Sequence, residues 1–332
     1  ISELLEGNFG KLRELWSFTR KYRFSNVHAV IIDEASMVDE LTLAALLSLF
    51  DEHSLKHLIL VGDEKQLPPI GVGRPFSDII FFLKRSDLEE NIVHLRTNLR
   101  FPENSSLNVL SSIFASDESP AINEIVQYCT HTDDTIELRS FSNSEDLKKI
   151  LKEIVREIIE VENLDITHKE DVFEILKGAF DEKGVDVIQI LAPTRAGGLG
   201  TWVINNKLIL ENRTATLPGS KLICEENIYI NVERRGRKRK VLGLANGSML
   251  YLTERNRIES EEIKEIFSNY GRSAGISLVN KIRNDIFDPL SVDRRINLAY
   301  AITVHKSQGS DFDYVILVLN ELTSFITREL MY

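Results

Sequence analysis

The stretch VIIDEASMVDELTLAALLSLFDEHSLKHLILVGDEKQLPP, residues 30–69, decides the fold of the first part of the chain. VHAVII (27–32) has the length and β-branched content of a buried parallel strand, and HLILV (57–61) is a second apolar strand. Between them apolar residues recur at helical spacing over 39–50, with Asp39 placed to cap the helix. Strand, helix and strand with short connections predict a βαβ unit of a doubly wound α/β fold.

Polar residues follow both predicted strands. Asp33 and Glu34 come directly after the first strand, and Asp63 and Gln66 follow the second. Ligands of doubly wound sheets bind beyond the carboxyl ends of the strands, so we expect these side chains to share a site there. Asp33 is the predicted metal-binding residue, because Mg²⁺ keeps several of its waters and needs only one or two carboxylates.

The chemistry predicted for this edge of the sheet is phosphoryl transfer. Glu34 can orient or deprotonate the attacking water, and the neutral amide of Gln66 can contact a γ-phosphate and lose that contact after hydrolysis. The structural alternatives are an acidic pair that caps the next helix and an ordinary turn built on Gly-Asp and Pro-Pro. We favour a magnesium–nucleotide site, since DEAS (33–36) and GDEKQLPP (62–69) occur together.

Composition limits the other function classes. The 332 residues, 43% of them apolar, suffice for two cores of ordinary domain size. A net charge of −11 argues against a passive DNA coat and confines nucleic-acid binding to a local groove. Cys129 and Cys224 form no CxxC pair, so we expect buried thiols and neither a zinc site nor a disulfide. Without a signal peptide or a membrane-length apolar run, the sequence predicts a cytoplasmic protein.

The rest of the chain predicts a second α/β domain. A helix is expected over 145–160, and buried strands are expected over 185–193, 297–304 and 314–319. Between Gly219 and Arg295 the pattern changes to short alternating strands, which indicates a small β-rich insertion. Its most basic segment, ERRGRKRK at 233–240, is predicted to form a hairpin with Gly236 at the tip. That hairpin is either a solvated loop or a DNA contact with salt-dependent affinity.

Short polar and basic side chains also follow the later strands. Such groups suit phosphate contacts along a single strand of nucleic acid, and the candidates are Thr194, Arg195, Thr303, His305 and Lys306. A core position or a helix cap is the alternative for His305. Gly309 lets the backbone approach a phosphate, and Asp311 can accept a hydrogen bond from a ribose hydroxyl. These two residues and Asp63 are the candidate nucleotide-binding residues.

Together the motifs resemble the RecD-like helicases of superfamily 1, the group that includes the alpha subunit of exodeoxyribonuclease V. The resemblance rests on DEASMVD (33–39), GDEKQLPPIGVGRPFSDII (62–80), NLRF (98–101), LAPTRAGGLG (191–200), ANG (245–247) and TVHKSQGSDFDYVIL (303–317). It implies P-loop NTPase domains of the RecA-like type, with parallel sheets flanked by helices. The first would occupy 1–92 in part, and the second 93–332 with an SH3-like insertion over 220–295. Arg100 becomes a candidate arginine finger, which stabilises charge on a transferring phosphoryl group.

For function, the family implies 5′ to 3′ movement along single-stranded DNA, driven by ATP and Mg²⁺, in DNA recombination and repair. It also implies helicase–nuclease partner subunits. The sequence departs from the family in three places: no GxxGxGK[ST] loop precedes Asp33, the chain stops at TRELMY before a second catalytic arginine, and Asp311 replaces a frequent glutamate. We therefore expect a helicase fragment that does not hydrolyse ATP efficiently alone. The alternative is a non-catalytic subunit that retains the fold and binds DNA or a partner, whereas a nuclease has no carboxylate cluster to support it.

Overall fold

The structure is a computed structural model, and it describes residues 23–51, 53–95, 105–116, 136–166, 170–211, 213, 217–234, 236–287, 295–320 and 327–331. The chain divides into two compact units. Unit 1 comprises the described residues of Ile1–Leu138 and Thr327–Tyr332, and unit 2 comprises those of Arg139–Ile326. Each unit contains a parallel sheet with helices, which confirms the predicted α/β class.

Unit 1 begins with the predicted βαβ arrangement. In chain order its strands and longer helices are β1 (Ala29–Ile32), α1 (Glu40–Leu47), β2 (His57–Leu60), α2 (Pro75–Arg85) and α3 (Ser106–Ala115). Shorter helical turns are Ala35–Met37, Glu89–Asn91 and Arg328–Met331. β1 and β2 pair in parallel, with Ile31 opposite Ile59. The predicted strand, helix and strand are therefore confirmed.

The ends of α1 follow from local chemistry. The Oδ1 atom of Asp39 accepts a hydrogen bond from the Thr42 N–H at 2.7 Å, which caps the first turn as predicted. The helix ends at Leu47, three residues short of the prediction, because the chain then turns toward β2. Phe50 forms a parallel bridge with Phe24, and the two rings stack with centroids 5.7 Å apart.

The core of unit 1 lies on one face of its sheet. The buried members of this core are Ile32, Ala35, Leu43 and Phe76. Alternate residues of a strand point to opposite faces, and the other face of β1 and β2 is open. Ile31 is 66% exposed and Ile59 is 47% exposed on that face.

Unit 2 is built around a second parallel sheet. In chain order it contains α4 (Ser144–Val161), α5 (Val172–Lys183), β3 (Ile188–Ala192), β4 (Ser220–Cys224), β5 (Ile228–Arg234), β6 (Arg237–Leu244), β7 (Met249–Leu252), β8 (Ile258–Glu259), α6 (Glu261–Tyr270), α7 (Arg272–Phe287), β9 (Ile296–Leu298), β10 (Ala301–Thr303) and β11 (Tyr314–Leu317). β3 lies between β10 and β11, is parallel to both and is buried along its whole length. The predicted helix over 145–160 and strand over 185–193 are confirmed.

The region predicted to be an insertion contains helices as well as strands. β8, β7, β4 and β9 form an antiparallel sheet in that order, and β5 and β6 form a separate hairpin. The prediction of short strands as far as Arg295 was wrong for residues 261–287, which form α6 and α7. Ser260 caps α6 by accepting from the Ile263 N–H at 3.1 Å. Buried residues then recur at helical spacing in α7, which closes the core of the insertion.

The predicted strand over 297–304 is divided between two sheets. β9 pairs antiparallel with β4, whereas β10 pairs in parallel with β3. The switch falls at Ala299–Tyr300, where the Ala299 N–H donates to the Lys221 carbonyl and the Tyr300 carbonyl accepts from the Ile190 N–H. Val304–Ser307 then forms a helical turn, so the single long strand that was predicted was wrong. A continuous apolar run in the sequence does not indicate that its two halves pair with strands of different sheets.

Lys221 of β4 is fully buried inside unit 2. Its Nζ atom donates to the carbonyls of Val185 at 2.5 Å and Ile188 at 3.2 Å. The rings of Phe180 and Phe312 lie 5.3 and 5.4 Å from the same atom. Burial lowers the pKa of this lysine to about 7, because the charged ammonium loses its hydration.

Two further sequence predictions concern cysteines and membranes. Cys224 is a buried free thiol, as expected, and burial raises its pKa. Cys129 lies outside the described residues. Within the described ranges, no helix has both the length and the apolar character needed to cross a bilayer.

Candidate nucleotide and nucleic-acid sites

The carboxyl ends of β1 and β2 meet at one edge of the unit 1 sheet. Their pairing continues past the strands, since the Val61 N–H donates to the Ile32 carbonyl and the Ala35 N–H donates to the Val61 carbonyl, each at 2.8 Å. Asp33 and Asp63 follow these paired residues. The structure therefore places both aspartates at the edge where the sequence predicted a site.

Gly62 sets how closely the two loops approach at this edge. A Cβ atom at this position would lie 3.0 Å from the Ser36 nitrogen, 3.2 Å from the Ala35 nitrogen and 3.3 Å from Cε1 of Phe76. A side chain would have to displace backbone, so glycine allows the loops DEAS (33–36) and GDEKQLPP (62–69) to pack backbone to backbone. The two acidic motifs are thus one structural feature.

Glu34 has an unusual backbone conformation. Its φ of 51° and ψ of 40° are left-handed, which costs a residue with a side chain about 1–2 kcal/mol. The Glu34 N–H donates to Oδ1 of Asp33 at 2.9 Å, and the Glu34 side chain is exposed and caps no helix. Asp39 caps α1 instead, so Glu34 does not have the capping role that was the structural alternative. Strained residues of this kind concentrate at functional sites.

Gln66 lines a small pocket that opens to solvent. The other lining residues are Ser36, Glu64, Pro68, Pro69, Arg74, Phe76, Ser77 and Glu329. Asp63 forms the turn before Gln66, because its Oδ1 accepts from the Lys65 N–H at 2.9 Å and its carbonyl accepts from the Gln66 N–H at 3.3 Å. The hydroxyl oxygen of Ser36 is buried and has no hydrogen-bond partner among the described residues.

Arg74 is a pocket residue that sequence reasoning missed. It precedes Pro75, the first residue of α2, and its side chain is exposed. The signal was present, because Arg74 lies inside the GVGRPFSDII string that carries the family resemblance. The pocket therefore holds a cation and an amide beside the acidic edge.

The residues at this edge fit a magnesium ion held mainly by one protein carboxylate. Asp33 is exposed and uses one oxygen for the Glu34 N–H. Among the described residues, no group of three or more His, Cys, Asp or Glu side chains could hold a metal ion by itself. Mg²⁺ at nucleotide sites has this ligand pattern, with water and phosphate oxygens completing the shell.

The remaining nucleotide candidates belong to the other unit. Asp63 lies in unit 1 with Asp33, whereas Gly309 and Asp311 belong to unit 2. Gly309 has a φ of 76°, which favours glycine, and nothing lies within 4 Å of the position of its Cβ atom. Arg100, the predicted arginine finger, lies outside the described residues.

The carboxyl edge of the unit 2 sheet collects the predicted DNA-binding residues. β3 and β10 are neighbours, and Thr303 stands opposite Ala192. The loop after β3 and the turn after β10 therefore leave the same edge. The hydroxyl group of Thr194 is used within its own loop, where it donates to the Ala196 carbonyl at 2.9 Å.

Arg195 and Lys306 meet at one carboxylate. Nη1 of Arg195 lies 3.0 Å from Oε2 of Glu225, and Nζ of Lys306 lies 2.5 Å from Oε1 of the same side chain. Glu225 follows β4, and sequence reasoning missed it. Its only signal was an acidic pair with Glu226 inside the region of predicted short strands, and such pairs are common on protein surfaces.

His305 is half-buried beside this cluster. Burial lowers the pKa of its imidazole, which favours the neutral ring. A neutral ring can donate from one nitrogen and accept at the other. His305 is thus neither a core residue nor a fixed positive charge.

The basic segment forms the predicted hairpin. β5 and β6 are antiparallel, and Gly236 has a φ of 72° in the tight turn between them. The side chains over 237–240 are exposed. Nζ of Lys240 lies 4.6 Å from the centre of the Tyr229 ring, which gives the exposed surface of the hairpin an aromatic and a basic component.

Comparison with known proteins identifies similar sequences. An AAA domain family matches residues 7–131, which is less than half of the chain. A RecBCD enzyme subunit RecD of Buchnera aphidicola (subspecies Acyrthosiphon pisum) is 26% identical over 348 aligned residues, covering 94% of this chain and 52% of the relative. An uncharacterised protein of Methanocaldococcus jannaschii is 28% identical over 342 residues, covering 92% of this chain and 28% of the relative.

The chain thus spans about half the length of its RecD relatives and less of the archaeal one. Among solved structures, the Pif1 helicase from Candida albicans is 13% identical with a TM-score of 0.38, covering 98% of this chain and 74% of that one. Scores this low do not by themselves establish a shared fold. The sequence similarities to RecD confirm the resemblance to RecD-like superfamily 1 helicases that the motifs predicted.

Proposed function

We propose that this chain, a relative of the RecD-like superfamily 1 helicases, carries ATP-hydrolysing and DNA-binding residues of a helicase that moves 5′ to 3′ along single-stranded DNA. The observation that supports the proposal best is the contact at Gly62. It joins the loop of Asp33 and Glu34 to the loop of Gln66 at the carboxyl edge of a parallel sheet. The family relationship suggests DNA helicase activity, and the roles of individual residues are our proposal.

In the proposed mechanism, Asp33 would hold the magnesium ion of the nucleotide. Its Oδ1 already accepts the Glu34 N–H, which fixes the orientation of the carboxylate. When bound, Mg²⁺ neutralises charge on the phosphate oxygens. The exposed Glu34 carboxylate orients the attacking water and takes its proton. The side chain of Glu34 makes no cap hydrogen bond to the helical turn that follows.

Gln66 provides the link between hydrolysis and movement. Its amide can hydrogen-bond to a γ-phosphate in the ATP state and loses that partner after hydrolysis. After Leu67, Pro68 and Pro69 also line the pocket and restrict the backbone there. A change at the amide would therefore be passed on through a stiff segment. Arg100 would complete the charge stabilisation as an arginine finger.

The DNA-binding part of the proposal uses the unit 2 edge. Arg195 and Lys306 provide charge for backbone phosphates, and Thr194, Thr303 and the neutral His305 provide hydrogen bonds. Gly309 and Asp311 would contact the nucleotide. By analogy with relatives named as RecBCD subunits, we place the activity in DNA recombination and repair with helicase–nuclease partner subunits.

The test is ATP hydrolysis, with and without single-stranded DNA, by the polypeptide that carries these residues at its natural length. We expect DNA to stimulate turnover. Glu34→Gln should lower it by roughly 100-fold or more, because the general base is lost. Glu90→Gln is the matched control, since Glu90 is an exposed carboxylate of the same unit outside the site.

Two outcomes would contradict the proposal. Undiminished turnover in Glu34→Gln would remove Glu34 from the mechanism. A wild-type protein that binds DNA but never hydrolyses ATP would instead favour the non-catalytic alternative. Strand displacement on substrates with a 5′ or a 3′ tail then tests the direction of movement.

A further inference from the structure

Glu225 contacts both cations of the proposed DNA-binding edge. Its Oε1 accepts from Nζ of Lys306 at 2.5 Å, and its Oε2 lies 3.0 Å from Nη1 of Arg195. Oε2 also accepts from Nδ2 of Asn297 at 2.7 Å. Among the described residues, three side chains therefore contact this carboxylate, and two of them are the cations proposed to bind phosphate.

The carboxylate reaches the edge from a different sheet. Arg195 and Lys306 follow β3 and β10, which are neighbours in the parallel sheet, whereas Glu225 follows β4 of the antiparallel sheet. Its backbone is held there, because the Glu225 N–H donates to the Arg295 carbonyl at 2.7 Å. The fold thus places one acidic group of the insertion between two basic groups of the surrounding domain.

We infer that Glu225 is an internal counter-charge that occupies Arg195 and Lys306 in the absence of DNA, so that binding of a single strand exchanges this carboxylate for a phosphate. The inference rests on the proposed DNA-binding function of that edge. In this view Glu225 regulates the affinity for single-stranded DNA. It holds both cations until a phosphate competes for them.

The exposures of the three side chains suit such an exchange. The side chain of Arg195 is 64% exposed and that of Lys306 is 31% exposed, while that of Glu225 is only 18% exposed. An ion pair with a largely exposed partner contributes little to stability, so Arg195 can leave the carboxylate at small cost. Guanidinium and ammonium groups also bind phosphate with the same geometry that they use for carboxylate.

Asn297 completes the arrangement. Its amide would still donate to Oε2 of Glu225 after the cations turn toward DNA. The carboxylate is therefore not left buried without a hydrogen bond, which would otherwise oppose the exchange. Two cations against one carboxylate also leave a local charge of plus one, which attracts a phosphate before the exchange begins.

The test measures affinity for a fluorescent single-stranded oligonucleotide by anisotropy, without nucleotide, in about 50 mM and about 200 mM salt. Glu225→Gln should bind about 3- to 10-fold more tightly at the lower salt, with a steeper salt dependence, because a competing charge is removed. Glu226→Gln is the matched control, since that neighbour is an exposed carboxylate without an ion pair in the described part of the chain. It should change affinity by less than about 2-fold.

Variants of the cations separate the inference from the function on which it rests. Arg195→Gln and Lys306→Gln should each weaken binding, and adding Lys306→Gln should reduce the gain from Glu225→Gln. If both cation variants leave binding unchanged, the proposed DNA edge is wrong and the inference falls with it. If they weaken binding but Glu225→Gln also weakens it, leaves it unchanged or matches Glu226→Gln, the edge stands and the counter-charge is overturned.

Discussion

The carboxyl edges of the two parallel sheets carry side chains of opposite charge. In unit 1 the edge carries the carboxylates of Asp33 and Glu34, and no cation pairs with either among the described residues. In unit 2 the edge carries Arg195 and Lys306, and Glu225 pairs with both. In the proposed function, the unpaired anionic edge would bind a metal ion directly, whereas the paired cationic edge would exchange its carboxylate partner for phosphate.

The packing behind the two edges differs as well. β3 of unit 2 is buried along its whole length, while β1 of unit 1 has one face open to solvent, with Ile31 66% exposed. Among the described residues, unit 2 therefore has a large core that encloses a lysine, and unit 1 has a smaller one. The predictions below test this contrast, beginning with the largest effect.

The enclosed Lys221 should make the stability of unit 2 depend on pH. Its folded pKa of about 7 lies below the ordinary value of 10.5, so the unfolded chain binds the proton more tightly. This group therefore contributes stability at high pH that is lost as the pH falls from 10.5 toward 7. Between pH 7 and about 9.5 it should raise the free energy of unfolding by about 3 kcal/mol.

The measurement is urea unfolding of wild type and Lys221→Met at both pH values. The variant should lack this rise, because methionine does not titrate. Both proteins contain the same remaining lysines and tyrosines, so the difference between them isolates Lys221. Parallel pH profiles would show that the ammonium is hydrated in solution and that the core is less tight than described.

Substitution at Gly62 should disrupt the contact between the loops DEAS (33–36) and GDEKQLPP (62–69) of unit 1. An added methyl group would lie 3.0 Å from the Ser36 nitrogen, so Gly62→Ala should destabilise unit 1 by about 1–3 kcal/mol. Gly198→Ala is the unit 2 counterpart, since its nearest atom would be Nδ2 of Asn320 at 3.9 Å.

Hydrogen exchange of peptides over 27–37 reads the effect at Gly62 locally. We expect faster exchange in Gly62→Ala and unchanged exchange in Gly198→Ala. Equal protection in all three proteins would mean that the two loops are not in contact, and the proposed nucleotide site would lose its main support.

The smallest expected effect concerns helix caps in the two units. Asp39→Ala removes the acceptor for the Thr42 N–H from a side chain that is only 7% exposed, and should cost about 1–2 kcal/mol. Asn143→Ala removes the corresponding acceptor of α4 from an exposed position and should cost about 0.5–1 kcal/mol. Chemical denaturation of both variants checks the order, and a larger loss at Asn143 would contradict it.

The sequence predicted those parts whose causes are local. The βαβ unit, the Asp39 cap, the basic hairpin and the strand ends bearing Asp33 and Thr194 all follow from periodicity, capping residues and glycine. The positions that escaped depend on long-range partners. The division into β9 and β10 could be predicted only by knowing that β9 pairs with β4 and β10 pairs with β3. The importance of Glu225 could not be predicted, because its ion-pair partners Arg195 and Lys306 are distant from it in sequence.

The helices over 261–287 were missed for a different reason. The short strands and the basic hairpin before residue 261 led to a prediction of further strands up to Arg295. Ser260 is an ordinary N-cap residue and was the local signal for a helix. The role of Gly62 was also hidden, since Gly-Asp is a common turn sequence. Only the distance to the Ser36 nitrogen distinguishes a turn glycine from one required by a close approach.

The run from β9 to β10 passes directly from the antiparallel sheet to the parallel sheet. This continuity limits how the region over 220–295 can be exchanged between related proteins. The predicted insertion shares a core with the rest of unit 2, because Lys221 and Tyr251 from its strands are buried there. The Tyr251 hydroxyl donates to Asp181 in that core at 2.6 Å. A cassette exchange at residues 220 and 295 would remove these side chains from the host. Transplanting the insertion between relatives should therefore succeed only when its host-facing residues travel as a matched set.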